Sequence, residues 1–172
     1  SVGRLAVEKN LGVVVNAYDR LKQSGADVKL VFVGDGPETT TLQRLCPDGI
    51  FSGTKRGQDL AEHYASADLF VFPSLTETFG NVTLEAMACG VPVVAADATG
   101  AASLVEDGVN GYLVPPRAIG DYADRIEAYV ADPHLRSAHG QAGADRAQAF
   151  EWDTINRAVA DTYVRVLGAR KR

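Results

Sequence analysis

Glu77 and Glu85 stand eight residues apart and bracket the short run Thr78-Phe-Gly80-Asn-Val82. Those residue types in that order can bind an anion that carries hydroxyls. The apolar run Leu69 to Phe72, closed by Pro73, reads as a buried strand, so the following loop lies at the carboxyl edge of a sheet, where open α/β folds bind ligands. Gly80 lets backbone approach a ligand without a Cβ. A helix starting behind it offers the N–H groups of Asn81 and Val82 to an anion. Glu85, one turn into that helix, can accept two hydrogen bonds from a vicinal diol such as a ribose. Glu77, in the loop, reaches hydroxyls on the other side of the same anion. A lone Glu near a helix start can simply favour the helix dipole. Two of them around Phe79-Gly80, followed directly by Gly90-Val-Pro-Val-Val94, make a more specific pattern.

Elements that alternate along the chain must position this cluster. Apolar residues at 11, 14, 15, 18 and 21 have helical spacing over Leu11 to Gln23, and Gly25 can end that helix. Val28 to Val33 reads as a strand closed by Gly34-Asp-Gly-Pro37, Glu38 to Leu45 as a short helix, and Ile50 to Ser52 as a short strand. Gln58 to Ser66 is helical, Leu69 to Phe72 a strand, Val82 to Cys89 a helix and Val91 to Ala96 a strand. Gly111 to Val114 follows, then three Ala-rich helical stretches over most of 118–167. Strands alternating with helices at this spacing predict an α/β fold, a parallel sheet with helices on both faces.

The turn Gly34-x-Gly36 does not qualify as a dinucleotide fingerprint. Its third glycine would fall at Thr39, and Pro37 removes a backbone donor that a phosphate cradle uses. No GxxxxGK[ST] run occurs, so NAD and ATP are disfavoured and a plain strand-to-helix turn is expected.

Composition bounds the partners. The 172 residues are 46% apolar and 23% charged, with a net charge of −5, the profile of one globular domain without a polyanion-binding surface. No nucleic-acid partner is expected. The apolar runs fall far short of the roughly 20 residues a membrane helix needs. Cys46 and Cys89 are isolated, which predicts a reduced, intracellular protein. No Asp-x-Asp occurs, and His63, His134 and His139 form no ligand cluster and read as helix-surface residues. No metal is implied. Met87 is the one methionine, and Ser1-Val-Gly3 reads as the tail of a strand, which predicts a piece of a longer polypeptide. The terminal Arg170-Lys-Arg172 reads as a solvated end.

Several stretches, in order, resemble one family. Ser1-Val-Gly-Arg4-Leu-Ala-Val-Glu-Lys9-Asn10 is similar to G-R-L-x-x-E-K-N, Val33-Gly-Asp-Gly-Pro37 to G-D-G-P, and Phe51-Ser-Gly53 to F-x-G. Ala65-Ser-Ala-Asp68 is similar to Y-x-x-A-D, Glu77 to Glu85 to E-x7-E, and Asp107-Gly-Val-Asn-Gly-Tyr-Leu113 to D-G-x-N-G-x-L. These are signatures of the retaining glycosyltransferases of family 4, enzymes of the two-domain GT-B fold. The resemblance implies a Rossmann-like three-layer α/β/α domain, the C-terminal half of GT-B, occupying residues 1–172 as a single donor-binding domain, with the N-terminal acceptor domain absent.

The resemblance also implies roles. Arg4 and Lys9 match the cationic pair on the donor diphosphate, which stabilises charge on the leaving group. Glu77 matches the residue beside the donor sugar, with Phe79 and Gly80 presenting backbone N–H to sugar hydroxyls. Asn81 and Val82 match the phosphate contacts, and Glu85 the ribose contact. Gly53, Thr54 and Lys55 lie where the family places the nucleobase. The implied parent transfers a hexosyl group from a UDP- or GDP-linked sugar to an acceptor hydroxyl, without cofactor or metal. Its partners are the nucleotide-sugar and its own N-terminal half. A cytoplasmic protein is expected, with membrane contact only through that half and a peripheral place at the inner membrane face as the alternative for the parent. Two rival readings are a UDP-sugar epimerase of the same fold and a nucleotide-binding module inactive in isolation.

Overall fold

The computed structural model describes residues 1–98 and 100–169, so the Arg170–Arg172 tail lies outside the described residues. After a 3-10 turn at Val7–Lys9 come α1 (Leu11–Gln23), β1 (Val31–Val33), α2 (Thr39–Leu45), β2 (Ile50–Gly53), α3 (Gly57–Ala65) and β3 (Phe70–Phe72). They are followed by α4 (Asn81–Ala88), β4 (Val93–Ala96), α5 (Ala101–Leu104), β5 (Gly111–Val114), α6 (Ile119–Ala131), α7 (Pro133–Ala147) and α8 (Trp152–Ala169). All strand pairing within the sheets is parallel: β1 with β2, and β3-β4-β5 in that order.

Alternation along the strands divides the core into two apolar layers, because successive side chains leave a strand on opposite faces. Val71 and Val94 join Leu11, Val14, Tyr18 and Leu21 of α1 and Tyr122, Ile126 and Tyr129 of α6. Their neighbours Phe70, Phe72, Val93 and Ala95 face the other way, onto Tyr64, Ala86, Met87, Leu104 and Ala147. Helices therefore cover both faces, and the Rossmann-like α/β/α expectation holds.

The paired strands fall into two sets, β1-β2 and β3-β4-β5. β1 is joined to Val2 by a parallel bridge, with Gly3 N–H donating to the Val33 carbonyl at 2.9 Å. Val14, Leu30, Val31, Tyr64, Phe70 and Val71 lie between the two sets. Only Val31 to Val33 of the expected 28–33 strand pairs as sheet, because pairing needs a neighbour and not only a β-prone sequence. Ser1 N–H donates to the Val31 carbonyl at 2.9 Å.

The Asp107–Leu113 motif proves to be turn chemistry. Asp107 accepts from Leu113 N–H at 2.9 Å, and buried Asn110 accepts from Glu106 N–H at 2.8 Å and donates to the Leu104 carbonyl at 3.3 Å. A Cβ on Gly111 would lie 2.5 Å from the Val93 carbonyl oxygen, so that position brings β5 against β4. No helix among the described residues is long and apolar enough to cross a membrane.

Candidate functional site: the carboxyl edge of the strands

Glycines seat the Arg4–Lys9 loop. A Cβ at Gly34 would collide with the Gly3 carbonyl, and one at Gly36 with the Leu5 backbone. With no side chains in the way, Leu5 N–H reaches the Asp35 carbonyl at 3.0 Å and Glu38 N–H the Leu5 carbonyl at 2.9 Å. The Gly34-Asp-Gly-Pro37 turn is thus a cradle for protein backbone. Downstream, Asn10 takes the left-handed conformation (φ 53°) that ends the 3-10 turn and starts α1, and its side chain donates to the Pro116 carbonyl at 2.8 Å. That junction aims Lys9 inward.

Lys9 Nζ ion-pairs with Glu77 and lies 5.5 Å from the centre of the Phe72 ring. Both side chains are about four-fifths buried, with relative exposures of 19% and 18%. Buried Ser74 donates to the same Glu77 carboxylate at 3.2 Å, and Leu75 N–H donates to the Glu8 carbonyl at 3.2 Å, joining the two loops by their backbones. Gly100 closes the far side: a Cβ there would lie 2.7 Å from the Glu77 Cβ. Arg4 shares a shallow depression with Gly3, Leu5, Lys9 and Phe72. Its own side chain is 69% exposed, with Glu8 at 4.0 Å as its ion-pair neighbour.

Gly80 begins α4 in the left-handed region (φ 92°), which favours glycine, and no side chain caps that end. The first N–H groups, Asn81 and Val82, have no intrahelical acceptor by geometry. They emerge on the loop that carries Glu77. Thr83 and Leu84 N–H fold back to the Gly80 carbonyl at 2.9 and 3.1 Å. Glu85 lies on the exposed side of α4, where the Tyr64 hydroxyl donates to its Oε2 at 2.9 Å. Phe79 is exposed, its ring edge-on to Phe150 at 5.5 Å.

The site thus gathers Lys9, Glu77 and the start of α4, with Arg4 at its rim and Glu85 one turn along. Gly53 ends β2, on the other sheet, and Thr54 and Lys55 follow it. The Gly53 carbonyl accepts from Gly34 N–H at 2.8 Å, while Thr54 is exposed and Lys55 part-buried. Four contributors were not read from the sequence. Ser74 and Gly100 touch Glu77, Phe150 supports Phe79, and Tyr64 holds Glu85. Only Tyr64 left a signal, since it opens the Tyr-x-x-Ala-Asp68 stretch. One expectation is corrected: His139 is not a helix-surface residue but is buried, its Nδ1 2.7 Å from the Tyr129 hydroxyl, because α7 lays it against α6. Burial pushes its pKa down. Among the described residues no three His, Cys, Asp or Glu side chains stand together as a metal site.

A parallel α/β/α fold with its cluster on this edge has known counterparts. The family model described as Glycosyl transferases group 1 matches residues 1–132. The chain is 38% identical over 170 residues to a GDP-mannose-dependent alpha-mannosyltransferase of Mycobacterium tuberculosis, covering 98% of this chain and 43% of that protein. With a sulfoquinovosyl transferase of Arabidopsis thaliana it is 35% identical over 156 residues, covering 88% of this chain and 30% of that protein. The chain therefore spans less than half of these curated relatives. Among solved structures, the Anabaena protein HepE in complex with UDP superposes with a TM-score of 0.84 at 31% identity, covering 95% of this chain and 48% of that one. The C-terminal domain of a glycosyl transferase group 1 family protein from Francisella tularensis does so at 0.75 and 26%, covering 86% and 83%. The chain belongs to the group 1 glycosyl transferases and has the Rossmann-like fold of the C-terminal half of their GT-B architecture.

Proposed function

We propose that residues 1–172 form the donor-binding domain of a retaining glycosyltransferase that moves a hexosyl group from a nucleoside-diphosphate sugar to an acceptor hydroxyl. The observation that carries this is the meeting of Lys9 and Glu77 beside the uncapped start of α4. A cation, a carboxylate and free backbone donors at one sheet edge suit a diphosphate joined to a hydroxyl-rich group. In this reading Arg4 and Lys9 neutralise the diphosphate as its bond to the sugar breaks, and charge builds on the leaving oxygen. Asn81 and Val82 N–H hold the phosphate, Glu85 the ribose diol, and Gly53, Thr54 and Lys55 border the base. Glu77, with the Phe79 and Gly80 backbone, fixes the sugar hydroxyls. The neutralisation falls to side chains, with no metal or cofactor. The acceptor belongs to a separate N-terminal half of the parent, placed in the cytoplasm. The crystal of HepE with UDP and the GDP-mannose dependence named for the mycobacterial relative support a nucleotide-linked donor.

A thermal-shift panel of UDP- and GDP-sugars, with and without chelator, tests it. One ligand class at 100 times its dissociation constant should stabilise the chain by about 2.7 kcal/mol, equally with chelator present. The chain by itself should transfer no sugar. Stabilisation by neither class, or a requirement for a divalent ion, counts against the reading. Release of an epimerised sugar by the longer protein without acceptor would favour the epimerase instead.

A further inference from the structure

Glu85 is an exposed side chain on a helix, and such a side chain ordinarily samples several rotamers. Tyr64 removes that freedom. The tyrosine is 3% exposed, packed in the layer formed by Phe70, Phe72, Ala86 and Met87, with its ring 5.8 Å from that of Phe70. Its hydroxyl emerges from this layer and donates to Glu85 Oε2 at 2.9 Å. Desolvation, then the nearby Glu85 charge, drives the phenol pKa far above its ordinary value of 10. The hydroxyl therefore stays protonated, able to donate to a carboxylate at any working pH. One oxygen of Glu85 is anchored and the other remains for a ligand.

Resting on the reading of Glu85 as the ribose residue, we propose that Tyr64 is a positioning residue that fixes the Glu85 carboxylate for the ribose diol. It touches no substrate. Its contribution is to prepay the ordering of one flexible side chain, which otherwise falls on binding.

The test measures the affinity of UDP and GDP, and of their 2′,3′-dideoxy counterparts, for the parent chain, Tyr64→Phe and Glu85→Ala. Tyr64→Phe keeps the buried ring and deletes only the donor. It should weaken the ribonucleotide by about three- to tenfold, the cost of ordering one side chain, and leave the dideoxy form unchanged. Glu85→Ala should erase the preference for the ribonucleotide altogether. Equal loss for both ligands in Tyr64→Phe, or loss for neither, overturns the positioning role. Failure of the parent or of Glu85→Ala to reveal a diol preference overturns the ribose reading, and the inference with it. A thermal midpoint of Tyr64→Phe taken without ligand separates a folding defect from a binding defect. A large drop there, with the diol preference intact, also overturns the role.

Discussion

The Arg4 guanidinium is 69% exposed beside Glu8, whereas the Lys9 ammonium is mostly buried against Glu77 and the Phe72 face. The two cations of one motif therefore fail differently when removed. Arg4→Ala should leave thermal stability unchanged and lower affinity for a nucleoside diphosphate while sparing the nucleoside, which lacks the charges it meets. Lys9→Ala should do the same to binding and also lower stability by about 1 to 3 kcal/mol, because Glu77 keeps only Ser74 as a partner in a poorly hydrated place. Rising salt should shrink the Arg4 effect, since exposed charges are screened over about 10 Å at 0.1 M. The Lys9 effect should persist. Titrations of both ligands at two salt concentrations, with denaturant midpoints, check all of this. Equal losses for nucleoside and diphosphate would mean that the substitutions act through the loop's backbone.

Elements with a strong period were legible from sequence to the residue. The 11–23 helix is α1 as expected, because its apolar stripe, Gly25 and length agree. The layers were legible too, since strands that alternate with helices along the chain place helices on both faces of a parallel sheet. What escaped depends on partners far along the chain. Lys9 and Glu77 are 68 residues apart, and the sequence names both through the family signature, yet it cannot say that they pair with each other. Gly34 and Gly36 read as a turn, but the backbone they admit comes from Gly3 and Leu5. His139 escaped because α7 has little amphipathic pattern to mark its inner face. Its burial has a measurable sign. Desolvation lowers its pKa in the folded chain below the ordinary 6.5, outweighing the opposing Gly108 hydrogen bond and Asp107 charge. As pH falls through about 6.5 the unfolded chain takes a proton that the folded chain refuses, so stability drops. Urea midpoints at pH 7.5 and 5.5 should show that drop, and His139→Gln, which still offers Tyr129 a partner, should reduce it.

At the scale of the whole molecule, helices on both faces bind two parallel sheets into one three-layer body, and the site sits where their carboxyl edges meet. The Arg4–Lys9 loop follows the residues bridged to β1, the Glu77 loop follows β3, and the Leu75 N–H to Glu8 carbonyl bond at 3.2 Å joins the two by their backbones. A ligand that touches both loops would therefore act as a rivet between the two sets of strands, and hydrogen–deuterium exchange of the Leu75 amide should slow when a nucleoside diphosphate is bound.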